Sequence, residues 1–165
     1  MASVAQEAHL PALGHHQREE VGRELQATLV ELIDLSLIGK QLHWNIFGRP
    51  FKPLHEHLDE LVDSWRELSD TVAERAVALG IAPDGQVGTV SQHSDINPVD
   101  TGLLDTDTAT RELVERVADV TERIRGRMDR LGELDLASQD VLIETVRELE
   151  KQQWMLRSSL PAGTA

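Results

Sequence analysis

The chain contains no cysteine among its 165 residues. Disulfides, thiolate metal sites and cysteine nucleophiles are therefore excluded, and the composition suits a reducing cytoplasm. Aromatic residues are almost as scarce: only Trp44, Trp65, Trp154, Phe47 and Phe51 are present. Strands favour aromatic and β-branched side chains, so an all-β fold is not expected. Lysine is limited to Lys40, Lys52 and Lys151. No stretch approaches the roughly 18 consecutive apolar residues of a membrane span. The first eleven residues hold neither Lys nor Arg and no apolar run, so no export leader is expected.

What the chain has in excess is acid. Asp and Glu number 29 against 16 Lys and Arg, a formal net charge of −13. Such a chain repels DNA, RNA and anionic lipid and favours cations, metal ions among them. The length suits one compact domain, which buries roughly 70% of its unfolded surface at this size.

Apolar periodicity predicts four long helices. The first spans about 17–46, with Val21, Leu25, Leu29, Leu32, Ser36, Gly39 and His43 on one stripe. Val30, Ile33 and Leu37 widen its apolar face, as expected of a bundle helix. Gly48, Pro50 and Pro53 then break the chain. The second helix, about 53–79, carries Leu54, Leu58, Leu61, Trp65, Leu68, Val72, Ala76 and Leu79, and ends on Gly80. Residues 81–105 read as a long connection with a short helix at about 93–99. The third helix, about 106–131, turns Leu113, Val117, Val120, Ile124 and Met128 inward. The fourth, about 137–159, does so with Val141, Leu142, Val146, Leu149 and Trp154. The pattern describes an all-α, ferritin-like four-helix bundle over 17–160 with a short helix between helices two and three. Flexible tails are expected at 1–16 and 161–165.

The chemistry-bearing residues are His43, His55, Asp59, Asp70 and Glu74. His55 and Asp59 are four apart, as are Asp70 and Glu74, so each pair shares a helix face. Eleven residues separate Asp59 from Asp70, which returns the helix to within about 20° of the same direction. The same separation spans about 16 Å along the axis. Metal–ligand bonds of about 2.0–2.2 Å cannot bridge it. If these residues form one site, its halves come from two copies of helix two, antiparallel about a two-fold axis and forming the site twice. Mixed imidazole and carboxylate ligation suits Fe(II), and also zinc, manganese or cobalt. The competing reading is a solvated ion-pair flank, since Asp63 and Arg66 lie on the same side and His43 sits on an apolar stripe. No His has a Glu three residues before it, so the Glu-x-x-His di-iron site of ordinary ferritins is not expected.

These residues also carry a family resemblance. His43-Trp44-Asn45, Gly48, Phe51, Leu54-His55, Asp59, Asp70 and Ala73-Glu74-Arg75 resemble the Dps family of mini-ferritins, the DNA-binding proteins from starved cells. So do Glu150-Lys151 and Trp154. The steps from His43, of 12, 4, 11 and 4 residues, fit the family pattern, and the likeness covers about 20–158.

The resemblance implies a homododecameric shell that oxidises Fe(II), usually with hydrogen peroxide rather than dioxygen, and stores Fe(III) mineral. It implies ferroxidase sites at two-fold interfaces, with His43, His55 and Asp59 on one side and Asp70 and Glu74 on the other. Trp44 then falls beside the site, as a radical-intercepting donor or as interface packing. Asp135, Asp140 and Glu144 fall where the family has an acidic ion pore; dipole complementation at a helix start explains them equally.

DNA binding, which the family name suggests, is expected to be weak or absent. The terminal segments carry no Lys or Arg, and the Arg123, Arg125, Arg127 and Arg130 cluster is read as paired with Glu122 and Asp129 and with the helix dipole. The alternative is a nucleoid-associated, DNA-protecting architectural protein with secondary iron binding. A cytoplasmic location is expected in either case, with nucleoid association belonging to the alternative. His57 is expected to face solvent, and His9, His15 and His16 to lie in the tail.

Overall fold

The computed structural model describes residue 11 and residues 13–161. Among them are five helices: α1 (His15–Asn45), α2 (Phe51–Ala78), α3 (Val87–His93), α4 (Thr106–Gly132) and α5 (Leu136–Ser159). Two short strands, β1 (Ile46–Phe47) and β2 (Leu104–Asp105), pair in parallel. This is the almost entirely helical architecture, with four long helices and a short one between the second and third, that the periodicity predicts.

The expected stripes form the core. Val21, Leu25, Leu32 and Leu42 of α1 are sealed against Leu58, Leu61, Trp65 and Val72 of α2. Leu113, Val117, Val120 and Ile124 of α4 and Leu142, Val146 and Leu149 of α5 complete it. Helix starts at α4 and α5 are capped by Asp105 and Asp135, whose carboxylates accept from the Thr108 and Ser138 backbone N–H groups at 3.0 and 3.1 Å. Gly80 ends α2 at φ +77°, a backbone conformation costly for any residue with a Cβ.

The chain crosses from the far end of α2 to the start of α4 along the whole bundle. β1 leaves α1 at the same end at which β2 enters α4, so α2 and α4 run parallel. Arg116 anchors this connection, donating to the Asn97 and Pro98 carbonyls at 2.8 and 2.7 Å.

Several expectations need correction. The short helix lies at Val87–His93, not 93–99. It is Val90 that is buried there, and Pro98 and Asn97 belong to the extended return. α1 begins at His15, so His15 and His16 are helical and pair with Glu19 and Glu20. His9, residues 1–10 and residues 162–165 lie outside the described residues. Leu37 and Trp154 face outward, 53% and 60% exposed, because each lies beyond the arc its helix buries in one chain. His57 is half-buried rather than solvated, its Nδ1 hydrogen-bonded to Glu60 at 3.1 Å.

Candidate metal centre

The end of α1 and the start of α2 run antiparallel and bring His43, His55 and Asp59 together. The two imidazoles stack with centroids 3.6 Å apart and planes 24° from parallel. Each Nδ1 lies 3.0 Å from the other residue's main-chain oxygen. A carbonyl only accepts, so each Nδ1 carries a proton, and in the neutral ring the lone pair is left on Nε2. The reciprocal bonds therefore fix the tautomer that leaves Nε2 free to ligate a metal. Phe51 packs on His55 at 5.0 Å and closes one side of the ring pair.

Asp59 stands 3.3 Å from His43 Nδ1. Its nearest partner is one that periodicity did not reveal: Lys40 Nζ donates to Asp59 Oδ1 at 2.5 Å. That hydrogen bond holds the Asp59 carboxyl below the usual carboxylate range, helped by the nearby charges of His43, Lys40 and His55. Lys40 was findable, since it lies one turn before His43 on the same helix face.

Asp70 and Glu74 project from the far half of α2. Both are exposed, and neither has a hydrogen bond or ion pair among the described residues. About 16 Å of helix separates Asp70 from Asp59. Among the described residues, no group of three or more His, Asp and Glu converges on a metal position within the single chain. The structure thus brings three of the five predicted ligands together and leaves two apart on the same helix. Trp44 is 67% exposed beside this cluster. Asp63 and Arg66 pair only loosely, at 3.9 Å.

The acidic trio at the start of α5 divides. Asp135 Oδ2 accepts from Arg75 Nη2 at 2.6 Å and from the Ser138 hydroxyl at 2.5 Å. Burial pushes its carboxyl up, but the Ser138 and Arg75 hydrogen bonds outweigh it and the net shift is downward. Asp135 thus has a structural occupation, whereas Asp140 and Glu144 are exposed one turn apart.

The arginine cluster is paired across helices rather than with Glu122, and Asp129 adds only its nearby charge to Arg130. Arg123 and Arg127 both grip Glu31, which is 1% exposed. Arg125 pairs with Glu150, and Arg130 with Glu24 at 2.8 Å. Sequence distance hid these partners, since each lies on another helix. No helix among the described residues is long and apolar enough to cross a membrane.

The ferritin-like domain model matches residues 23–162. A DNA protection during starvation protein of Mycolicibacterium smegmatis is 36% identical over 93% of this chain and 84% of its own length. The tetragonal form of Mycobacterium smegmatis Dps superposes with a TM-score of 0.90 at 32% identity, covering 99% of this chain and 96% of that one. Dps from Microbacterium arborescens, in its high iron form, superposes at 0.84 with 32% identity, covering 90% and 97%. A matched domain model over most of the chain, together with relatives at this identity, places the protein in the Dps family of ferritin-like proteins.

Proposed function

We propose that the protein stores iron and protects against oxidative damage by oxidising Fe(II) at sites shared between two copies of the chain in a dodecameric shell. The observation that carries this reading is the divided ligand set. Two imidazoles with Nε2 free and a carboxylate stand at one end of α2, and two exposed, unpaired carboxylates stand at the other. An antiparallel two-fold pairing of α2 completes the set twice, once at each end of the contact.

Iron is the substrate of this site. Asp70 and Glu74 supply anionic oxygen from one copy, and His43, His55 and Asp59 supply neutral nitrogen and a further carboxylate from the other. Such a mixed set binds Fe(II) yet tolerates Fe(III). Hydrogen peroxide accepts two electrons and two protons to give two molecules of water, and each Fe(II) supplies one electron. Dioxygen is the slower oxidant in this reading. Fe(III) then passes to the shell interior, with Asp140 and Glu144 at the entry pore; Asp135 serves as cap and ion-pair partner there.

DNA is not a partner in this reading. The arginines that would touch phosphate are neutralised by Glu31, Glu150 and Glu24. The architectural alternative therefore loses its densest basic cluster to internal pairs. A gel-shift titration at low salt checks this, with unretarded DNA at modest protein excess as the expected result.

Anaerobic loading with Fe(II) followed by peroxide tests the main reading. The wild type should show a fast ferric absorbance rise, and the His43→Ala, Asp70→Ala double variant should lose it. An equal rise in the double variant would remove the shared site from the account.

A further inference from the structure

The two imidazoles of the metal centre lean on carbonyls of different kinds. His43 Nδ1 donates to the His55 oxygen, which lies inside α2 and is fixed by that helix. His55 Nδ1 donates to the His43 oxygen, which lies in the last turn of α1, two residues before the helix ends at Asn45. The last four carbonyls of a helix have no donor of their own within it. Where the His43 oxygen points is therefore decided by whatever fastens the end of α1, and so is the tautomer of His55.

That end is clasped onto the returning connection. Ile46 leaves the helix in an extended conformation, φ −75° and ψ 149°, and β1 pairs with β2 in the register Ile46 to Leu104 and Phe47 to Asp105. Asn45 adds the side-chain part of the clasp. Its Nδ2 donates to the Thr101 carbonyl at 3.3 Å and to the Gly102 carbonyl at 3.2 Å, which uses both amide hydrogens. Thr101 and Gly102 are exposed, so hydrogen bonds rather than packing make this join. Thr106, 3% exposed, donates to the Arg49 carbonyl at 2.8 Å and anchors the far side of the same turn.

We propose that Asn45 is a positioning residue of the metal centre that acts through His55. The inference rests on the shared-site reading above. By tying the end of α1 to Thr101 and Gly102, Asn45 keeps the His43 oxygen within reach of His55 Nδ1, which leaves Nε2 of that ring as the ligating nitrogen. Without the tie the last turn of α1 frays, as uncapped helix ends do. His55 then loses the acceptor that sets its tautomer, and its ring presents an N–H where a lone pair is needed. His43 keeps its own acceptor, because that carbonyl sits inside α2. Asn45 itself touches neither metal nor oxidant; it decides how often His55 is ready to bind.

The test titrates the assembled full-length protein with Co(II) under anaerobic conditions and follows the cobalt absorbance. Asn45→Asp keeps the shape of the side chain and removes both donors. It should weaken Co(II) binding about tenfold, as loss of a hydrogen bond behind a ligating imidazole does. Thr106→Val removes the buried hydroxyl on the other side of the turn. It should weaken binding in the same direction, and it covers a failure of Asn45→Asp to assemble. Added to His43→Ala, which leaves the main-chain oxygen in place, Asn45→Asp should still weaken binding. Added to His55→Ala, it should change the affinity by no more than about twofold. Unchanged Co(II) affinity in either single variant, or equal weakening in the His43→Ala and His55→Ala backgrounds, would overturn the positioning role while leaving the site in place. Absence of Co(II) binding by the wild type would instead overturn the site beneath it.

Discussion

At the metal centre, single atoms decide what each residue can do. The reciprocal His43–His55 bonds commit both Nδ1 atoms and leave both Nε2 atoms available. Asp59 gives its Oδ1 to Lys40. Replacing Lys40 with Met should free that carboxylate, so anaerobic cobalt titration should find more metal bound per chain than in the wild type. The Asp59–Lys40 pair also has a defined pH response. The Asp59 carboxyl titrates below its ordinary value, so whatever stability the pair adds is complete above the usual carboxylate range. It is lost only as pH falls through the lowered value, and denaturation curves should show no contribution from this pair to any change between neutrality and mildly acidic pH. The shared helix faces of His55 with Asp59 and of Asp70 with Glu74 were legible from their spacing, because i and i+4 geometry is local. The Trp65–Gln152 bond was not legible, because 87 residues separate the partners and only the packing of α2 on α5 unites them.

Between elements, close approach and buried charge set the helix positions. Gly39 lets α1 settle on Val62 and Trp65, each 2.7 Å from where a Cβ would stand. Gly39→Ala should cost about 1–3 kcal/mol, as overpacking does, and a lower denaturant midpoint would show it. Glu31 holds α1 to α4 through Arg123 and Arg127. Glu31→Gln should cost about 3–5 kcal/mol, since two largely shielded guanidinium groups then lose their counter-charge. A neutral effect would mean that solvent screens the pair. The four long helices were legible because Leu and Val recur on three- and four-residue steps and because Gly80 and Pro50 mark breaks. The short helix was misplaced, since the seven residues of Val87–His93 hold one buried side chain and offer no period to read. The inward stripe expected for the last helix includes Trp154, five residues after Leu149, yet α5 turns it outward.

The whole molecule is strongly anionic, and the arginine cluster of α4 is spent on internal pairs. The net charge of −13 is multiplied in any assembly of identical copies, so attraction for cations would belong to such an assembly as a whole and not to one site. Assembly is also where the divided ligand set makes sense, because neither half of α2 holds a complete site alone. The most direct measurement of that claim is subunit complementation. His43→Ala and Asp70→Ala chains, each inactive when assembled alone, are unfolded together, refolded as a mixture and assayed for Fe(II) oxidation by peroxide. In a mixed pair one site carries both lesions and the other carries none. Random pairing should therefore restore about a quarter of wild-type activity, as isologous contacts require. A mixture as inactive as its parents would contradict the shared site and place the chemistry elsewhere in the chain.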